Sequence, residues 1–301
     1  MALVLSIPGK TFLLGEYLAL HGGPTLVALT HPNFELIVKE NGAGLGSIHP
    51  DSPAGKFVAA HQEYFNKFGL EFKDPYQGKG GFGASTAQFL GVYSLWLYKE
   101  AHQQDMEKLF DFKHLLETYN KYAWNGQGFP PSGADLVGQL KGSLTFFEKK
   151  RGFLSVASWP FTDLEFYLIH TGHKLATHEH LRALNEFDSS GLEKSFAMAK
   201  ESFETHQSEL FVQAVNLYAM NLQALGFTCD NTLKLLSEIR PLAGVKAVKG
   251  CGALGSDVLL AVVAKDQSLA LKTYCQQKGL VIVSSHQQIS SGLQVSVKEN
   301  V

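Results

Sequence analysis

The chain has 301 residues, 45% hydrophobic and 18% charged, enough to bury one extended core or two smaller ones, and it reads as globular and two-lobed. Twenty-six Lys and Arg against 28 Asp and Glu leave a formal charge of −2, which provides no overall field for nucleic acid or an anionic membrane; any anion site must be local. The three cysteines, Cys229, Cys251 and Cys275, are too few and scattered for a disulfide framework or zinc site, and no stretch approaches the roughly 20 apolar residues of a membrane helix, so the expected compartment is the cytosol.

Residues 2–7 read as a buried strand; they lack a basic leader and are too short for a signal core. Gly23-Pro24 turns the chain into a β-like run over 25–29, and 34–39 alternates like a strand with one wet face. Across 53–68, Phe57, Ala60, Tyr64 and Phe68 recur at helical spacing. Residues 85–99 are apolar along most of their length, as in a largely buried helix that begins at glycines. A further helix over 112–124 must end by Phe129-Pro130-Pro131-Ser132-Gly133, since consecutive prolines cannot continue one. Residues 145–147 and 165–169 read as strands on either side of a basic turn, Lys149-Lys150-Arg151. Helical patterns follow at 192–203, 210–225 and 231–239, then a buried strand at 258–264, a helix at 267–278 and a last strand from Gly279 through Val283. There is no internal repeat or low-complexity tract, and a boundary near 150–164 gives lobes of residues 1–155 and 156–301.

Three glycine-rich segments stand in order along this framework: Ser6-Ile7-Pro8-Gly9-Lys10 leading into Gly15-Glu16-Tyr17, then Gly81-Phe82-Gly83-Ala84-Ser85-Thr86, then Lys249-Gly250-Cys251-Gly252-Ala253-Leu254-Gly255-Ser256-Asp257. Singly, each is ordinary turn punctuation; the ordered set is far more specific. Gly9-Lys10-Thr11 is not a nucleoside-triphosphate P-loop, because Val4 stands where that loop needs glycine. Lys10 is either a surface lysine at a strand end or a cation fixed against a phosphoryl group. Gly78-Lys79-Gly80-Gly81-Phe82-Gly83-Ala84-Ser85 runs into the apolar helix, where bare backbone N–H groups and the helix N-terminus suit phosphate oxygens. Ser85 would cap that helix or give a hydroxyl to Mg²⁺; the plainer reading is a capped glycine turn.

Asp135, after Pro131-Ser132-Gly133-Ala134, is a turn or cap residue, or a carboxylate that orients or deprotonates an acceptor and holds Lys10. Residues 249–257 form a loop-to-strand junction or close over a ligand between lobes, and Asp257, opening a buried strand, calls for a partner. Thr171 to His180 gathers Lys174, Thr177, His178 and two further histidines. Their spacing fits no zinc motif, and a basic loop meeting an anionic substrate is the better reading.

With these residues assembled, the chain resembles the GHMP small-molecule kinases over most of its length, and the phosphomevalonate kinases ahead of the mevalonate kinases. Pro8-Gly9-Lys10 through Gly15-Glu16-Tyr17, Gln127-Gly128 followed by Ser132-Gly133-Ala134-Asp135, and Lys249…Gly252-Ala253-x-Gly255-x-Asp257 carry that resemblance. It implies an α+β fold, the GHMP kinase fold, with an N-terminal lobe like ribosomal protein S5 domain 2 and a C-terminal ferredoxin-like lobe. It also implies ATP and Mg²⁺, with transfer of the γ-phosphoryl group to phosphomevalonate. The alternatives are a mevalonate kinase, a diphosphomevalonate decarboxylase and a non-catalytic nucleotide-binding relative.

On the same footing, Lys10 and Asp135 are catalytic, and Lys79, Gly80, Gly81, Gly83, Ala84, Ser85 and Thr86 bind ATP, with Ser85 also on the metal. Glu16, Tyr17, Ser132, Gly133, Lys174, Thr177, His178, Gly252, Ala253 and Gly255 bind the acceptor. The implied partner is a small-molecule acid or phosphate, with no nucleic acid and no membrane; a homodimer is compatible. Three residues depart from the pattern: Ala84 replaces a serine, Leu254 interrupts the third motif, and Trp124 stands where mevalonate kinases carry a magnesium-binding glutamate.

Overall fold

The computed structural model describes residues 2–40, 42, 44–98, 110–172 and 186–298. Its first sheet contains β1 (Ala2–Leu14), β2 (Pro24–Glu40), β3 (Phe68–Lys73), β4 (Leu144–Glu148), β5 (Phe153–Ala157) and β10 (Gln294–Lys298), in the order β10-β1-β2-β4-β5 with β3 on β2, all antiparallel. The first strand does not stop at residue 7 but carries Pro8, Gly9 and Lys10 within it. Proline has no N–H for the ladder, and the β1–β2 register accordingly shifts between Ile7 and Gly9. The expected strands at 25–29 and 34–39 are two halves of the single 17-residue β2.

One face of this sheet is covered by α1 (Pro53–Ala60), the single turn α2 (Gln62–Phe65), α3 (Ala84–Tyr98), α4 (Phe112–Ala123) and α5 (Ala134–Lys141). Ser52 caps α1 by accepting from Gly55 N at 3.1 Å, and Asp111 caps α4 by accepting from Lys113 N at 2.9 Å. The helix expected over 53–68 therefore ends early. Phe68, which fits its apolar spacing, instead opens β3 and pairs with Glu40.

The second lobe runs β6 (Leu164–His170), α6 (Ser190–Thr205), α7 (Ser208–Ala224), α8 (Asp230–Ile239), β7 (Val245–Cys251), β8 (Val258–Ala264), α9 (Leu269–Lys278) and β9 (Val281–Ser285). Its sheet order, β7-β8-β6-β9 with antiparallel neighbours, is the ferredoxin-like β-α-β-β-α-β arrangement. Alternation along β6 feeds two cores. Phe166 and Leu168 join the large core that continues into the first lobe, while Tyr167 and Ile169 pack with Leu271 and Tyr274 of α9. On the large-core side, Phe196 and Phe203 of α6 meet Phe146 of β4 edge-on.

The division expected between residues 155 and 156 falls inside β5, and β10 returns the chain to the first sheet beside β1. Hydrogen bonding rather than chain position decides where that last strand belongs. Among the described residues no helix is long and apolar enough to cross a membrane.

Candidate active site

A cavity of about 570 Å³ opens where the lobes meet. Lys10, Gly83 and Asp135 reach it from the first lobe, and Cys251, Gly252 and Asp257 from the second.

The lysine wall follows from close backbone packing. Gly9 has no side chain because the Tyr76 phenol occupies that space, and Tyr76 in turn stacks on Phe82 at 4.2 Å. The glycine loop is joined directly to the strand, Lys10 N donating to Phe82 O at 3.0 Å. Gly83 has φ +82°, and a Cβ there would stand 2.7 Å from Lys10 Cγ, so only glycine lets the loop close onto the lysine stem. Lys10 Nζ lies 4.9 Å from the Phe12 ring centre.

The prolines do end the preceding helix, and a further one that the sequence reading did not name follows them: α5 starts at Ala134 with Gly133 as its N-cap, and Ser132 Oγ accepts from Ala134 N at 3.3 Å. Asp135 sits in its first turn, where the helix dipole favours an anion, and one oxygen accepts from Leu136 N at 3.0 Å. Lys10 and Asp135 face the same cavity, but among the described residues no ion pair joins them. Tyr119 lies between α3 and α5. Burial holds its phenol above the ordinary range, the Asp135 charge adds to this, and a hydrogen bond with Ser85 opposes it.

Across the cavity the charges are handled differently. Lys249 Nζ donates to Glu16 Oε1 at 2.8 Å, with the two side chains 0% and 5% exposed, and also lies 3.7 Å from Cys251 Sγ. Burial pushes the Glu16 carboxyl up against the pull of Lys249. Burial also works to lower the Lys249 ammonium, but Cys251 and Glu16 outweigh it, so its pKa rises. The Cys251 thiol is pushed by burial to about 11. Tyr17 stacks on Phe227 at 4.2 Å and its hydroxyl accepts from Leu254 N at 2.9 Å. Leu254 keeps φ +52°, so the residue that interrupts the third motif still follows a left-handed path. Glu16 and Tyr17 thus line the cavity, as expected of acceptor residues, but their polar heads are engaged with the third glycine segment.

Of the residues expected at ATP, Gly81 and Gly83 line the cavity. Gly80 packs against the Asp257 carboxylate, and Ala84, Ser85 and Thr86 form the first turn of α3, with Thr86 Oγ1 donating to Gly83 O at 3.0 Å. Lys79 lies close enough to His170 for its charge to add to burial in holding that ring below the usual histidine value. Of the acceptor residues, Ser132, Gly252 and Ala253 also line the cavity, Gly133 caps α5, and Gly255 packs closely on Gly250. Lys174, Thr177 and His178, with the other histidines of that loop, lie outside the described residues. Among the described residues no cluster of three His, Cys, Asp or Glu could hold a metal.

Sequence reasoning missed Thr11, Lys56, Tyr119, Asn125 and Phe129 on the wall, and Gln139 behind it. Gln139 was findable, because it stands four residues after Asp135 and so shares its helix face.

No protein-family model matches this chain, and no curated protein matches it in sequence. Solved structures match along its whole length. The Lin0012 protein from Listeria innocua is 16% identical, covering 100% of both chains at a TM-score of 0.73. Streptococcus pneumoniae phosphomevalonate kinase in complex with phosphomevalonate and AMPPNP is 17% identical, covering 95% of this chain and 99% of that one at 0.72. Lactococcus lactis galactokinase complexed with galactose is 14% identical, covering 97% and 95% at 0.72. At these identities the likeness establishes the fold: this chain has the two-lobed α+β GHMP kinase fold.

Proposed function

We propose that this protein is a small-molecule kinase that transfers the γ-phosphoryl group of ATP, with Mg²⁺, to phosphomevalonate. The observation that carries the kinase reading is the convergence of Lys10, the Gly83 end of α3 and Asp135 on one cavity between the lobes. Phosphoryl transfer asks little of a protein beyond positioning and charge stabilisation, and these groups supply both. Lys10, which makes no ion pair among the described residues, is placed to offer its side chain to the oxygens of the transferring group. The α3 N-terminus adds backbone N–H groups and the positive end of a dipole. Ser85 and Asp135 are hard oxygen donors of the kind Mg²⁺ accepts beside phosphates, and both stand in first turns of helices bordering the cavity. When bound, Mg²⁺ would supply charge neutralisation on those phosphates.

The fold does not choose the acceptor, since the phosphomevalonate kinase and the galactokinase match equally well. Two features favour phosphomevalonate. Tyr17, Gln127 and Asp257, the residues that lean the sequence toward phosphomevalonate kinases, all line the cavity. Leu20, Ala123, Trp124, Phe129, Pro130 and Pro131 give it an apolar wall that suits a short branched acid better than a polyol, whose hydroxyls would lose water without gaining partners. A phosphate acceptor is already mostly ionised near neutrality, its second pKa being about 6, so Asp135 acts as an orienter rather than an obligatory base.

The test is acceptor-dependent ADP release at saturating MgATP with phosphomevalonate, mevalonate and galactose side by side. Turnover confined to phosphomevalonate is expected; turnover with mevalonate alone makes the protein a mevalonate kinase. Carbon dioxide release with diphosphomevalonate would mark a decarboxylase. Nucleotide binding without turnover on any acceptor would leave a binding protein. Asp135→Asn separates orienter from base: the expected loss of kcat is below about 100-fold, the lower end of general acid–base contributions.

A further inference from the structure

Gln139 is fully buried, one helical turn below Asp135 on the face of α5 that meets the cavity wall. Its Nε2 donates to Pro8 O at 3.0 Å and to Gly83 O at 3.1 Å, joining segments 131 and 56 residues away. Each carbonyl has a specific place. Pro8 falls at the register shift of β1, outside the β1–β2 ladder and two residues before Lys10. Gly83 O also accepts from Ala87 N at 2.9 Å and Thr86 Oγ1 at 3.0 Å, so it closes the first turn of α3. A Cβ on Gly83 would meet both Lys10 Cγ at 2.7 Å and Gln139 Nε2 at 3.0 Å. The lysine stem, the amide and the glycine loop are in one close-packed contact.

A primary amide carries two N–H donors, and here both point at carbonyls. Rotating it by half a turn would set its oxygen against two oxygens, so the orientation is determined by its partners. The same arrangement leaves Gln139 Oε1 buried without a hydrogen-bond partner among the described residues. A side chain kept only to fill space would not need an amide at that position.

We propose that Gln139 is a positioning residue that fixes Lys10 relative to the N-terminus of α3, so that the ammonium and the helix amides address the same phosphoryl group. This inference rests on the kinase reading above. Gln139→Leu removes both donors at similar volume, and Gln139→Asn keeps the amide but shortens its reach. For Gln139→Leu the expected result is a 10- to 100-fold fall in kcat/KM for MgATP, with Gln139→Asn intermediate. The distinguishing readout is a double-mutant cycle with Lys10→Met, run on kcat and, by calorimetry, on MgAMPPNP affinity. If Gln139 acts through Lys10, adding Gln139→Leu to Lys10→Met changes neither quantity by more than about twofold, well inside the coupling such a cycle resolves.

Independent, additive losses in both backgrounds would overturn the proposal, as would a Gln139→Leu enzyme with wild-type constants; the kinase reading survives either result. If Gln139→Leu does not fold, the same cycle with Gln139→Asn decides by the same criterion. A wild-type protein that neither releases ADP with any acceptor nor binds MgAMPPNP would remove the kinase reading and this proposal with it.

Discussion

Two oppositely charged pairs stand at the junction of the lobes and are treated in opposite ways. Glu16 and Lys249 are buried against each other at 2.8 Å across the lobe junction, whereas Lys10 and Asp135 face the cavity without an ion pair among the described residues. Glu16 and Lys10 come from neighbouring positions on the first motif, so proximity in a motif does not assign a shared role. Charge inside the junction is tolerated where it is compensated; on the wall, no ion pair among the described residues compensates it, and the proposed reading gives it to a ligand. The first pair joins the two lobes; under the proposed kinase reading the second meets the ligand.

The largest effect should come from breaking the buried pair. Lys249→Met leaves the Glu16 carboxylate buried without its cation, and removal of one partner of a buried pair costs about 3–5 kcal/mol. That loss should be visible as a lower midpoint in urea with an unchanged m-value. The double variant Glu16→Gln with Lys249→Met should recover most of it, because nothing charged is then left behind. A single variant as stable as the parent would mean that the pair carries no net compensation, and the comparison would collapse.

The wall pair predicts the reverse pattern. Lys10→Met should lower kcat by about 10²–10³, as loss of one electrostatic donor does elsewhere. Its melting temperature should stay within about 2 °C of wild type, since the side chain makes no ion pair or hydrogen bond among the described residues. A large stability loss with turnover intact would exchange the roles of the two pairs.

Much of this organisation was legible in the residues, and what was not has physical causes. Strand Val258–Ala264 and helix Ala84–Tyr98 are almost continuously apolar, and their own burial declares them. β7 was hidden because Lys246, Lys249 and Gly250 break its apolar run, and Lys249 is buried only because Glu16, 233 residues away, meets it. α5 has eight residues after two prolines, too short for periodicity to show. β10 is an edge strand, largely exposed, so its alternation is weak and its partner β1 lies at the other end of the chain. For the site, the motifs named Lys10, Gly83 and Asp135, and all three line one cavity, a meeting that residues 73 and 52 positions apart from one another could not show in the sequence. The same motifs could not tell that Glu16 and Tyr17 turn their polar heads into the second lobe, because that depends on tertiary partners.

The smallest effect extends the rule to a group that makes no ion pair among the described residues. His170 ends β6 at the junction, 7% exposed; its Nδ1 accepts from Gly172 N at 3.1 Å, which puts the proton of the neutral ring on Nε2, an atom with no hydrogen-bond partner among the described residues. Burial first, and the Lys79 charge second, hold its pKa below the ordinary value of 6.5. The unfolded chain therefore binds this proton more readily than the folded one. Stability contributed by the neutral ring is full above the unfolded pKa and is lost as pH falls below 6.5 toward the depressed folded value. His61 and His286 are shifted the same way, chiefly by burial, so the protein should melt at a lower temperature at about pH 5.5 than at about pH 7.5, a window centred on the unfolded histidine pKa. His170→Gln keeps a hydrogen-bond acceptor for Gly172 N and removes the titration, so it should shrink that difference while His61 and His286 retain the rest. An unchanged difference in His170→Gln would show that the folded protein accepts the proton at this position, and hence that the junction tolerates a charge without a partner.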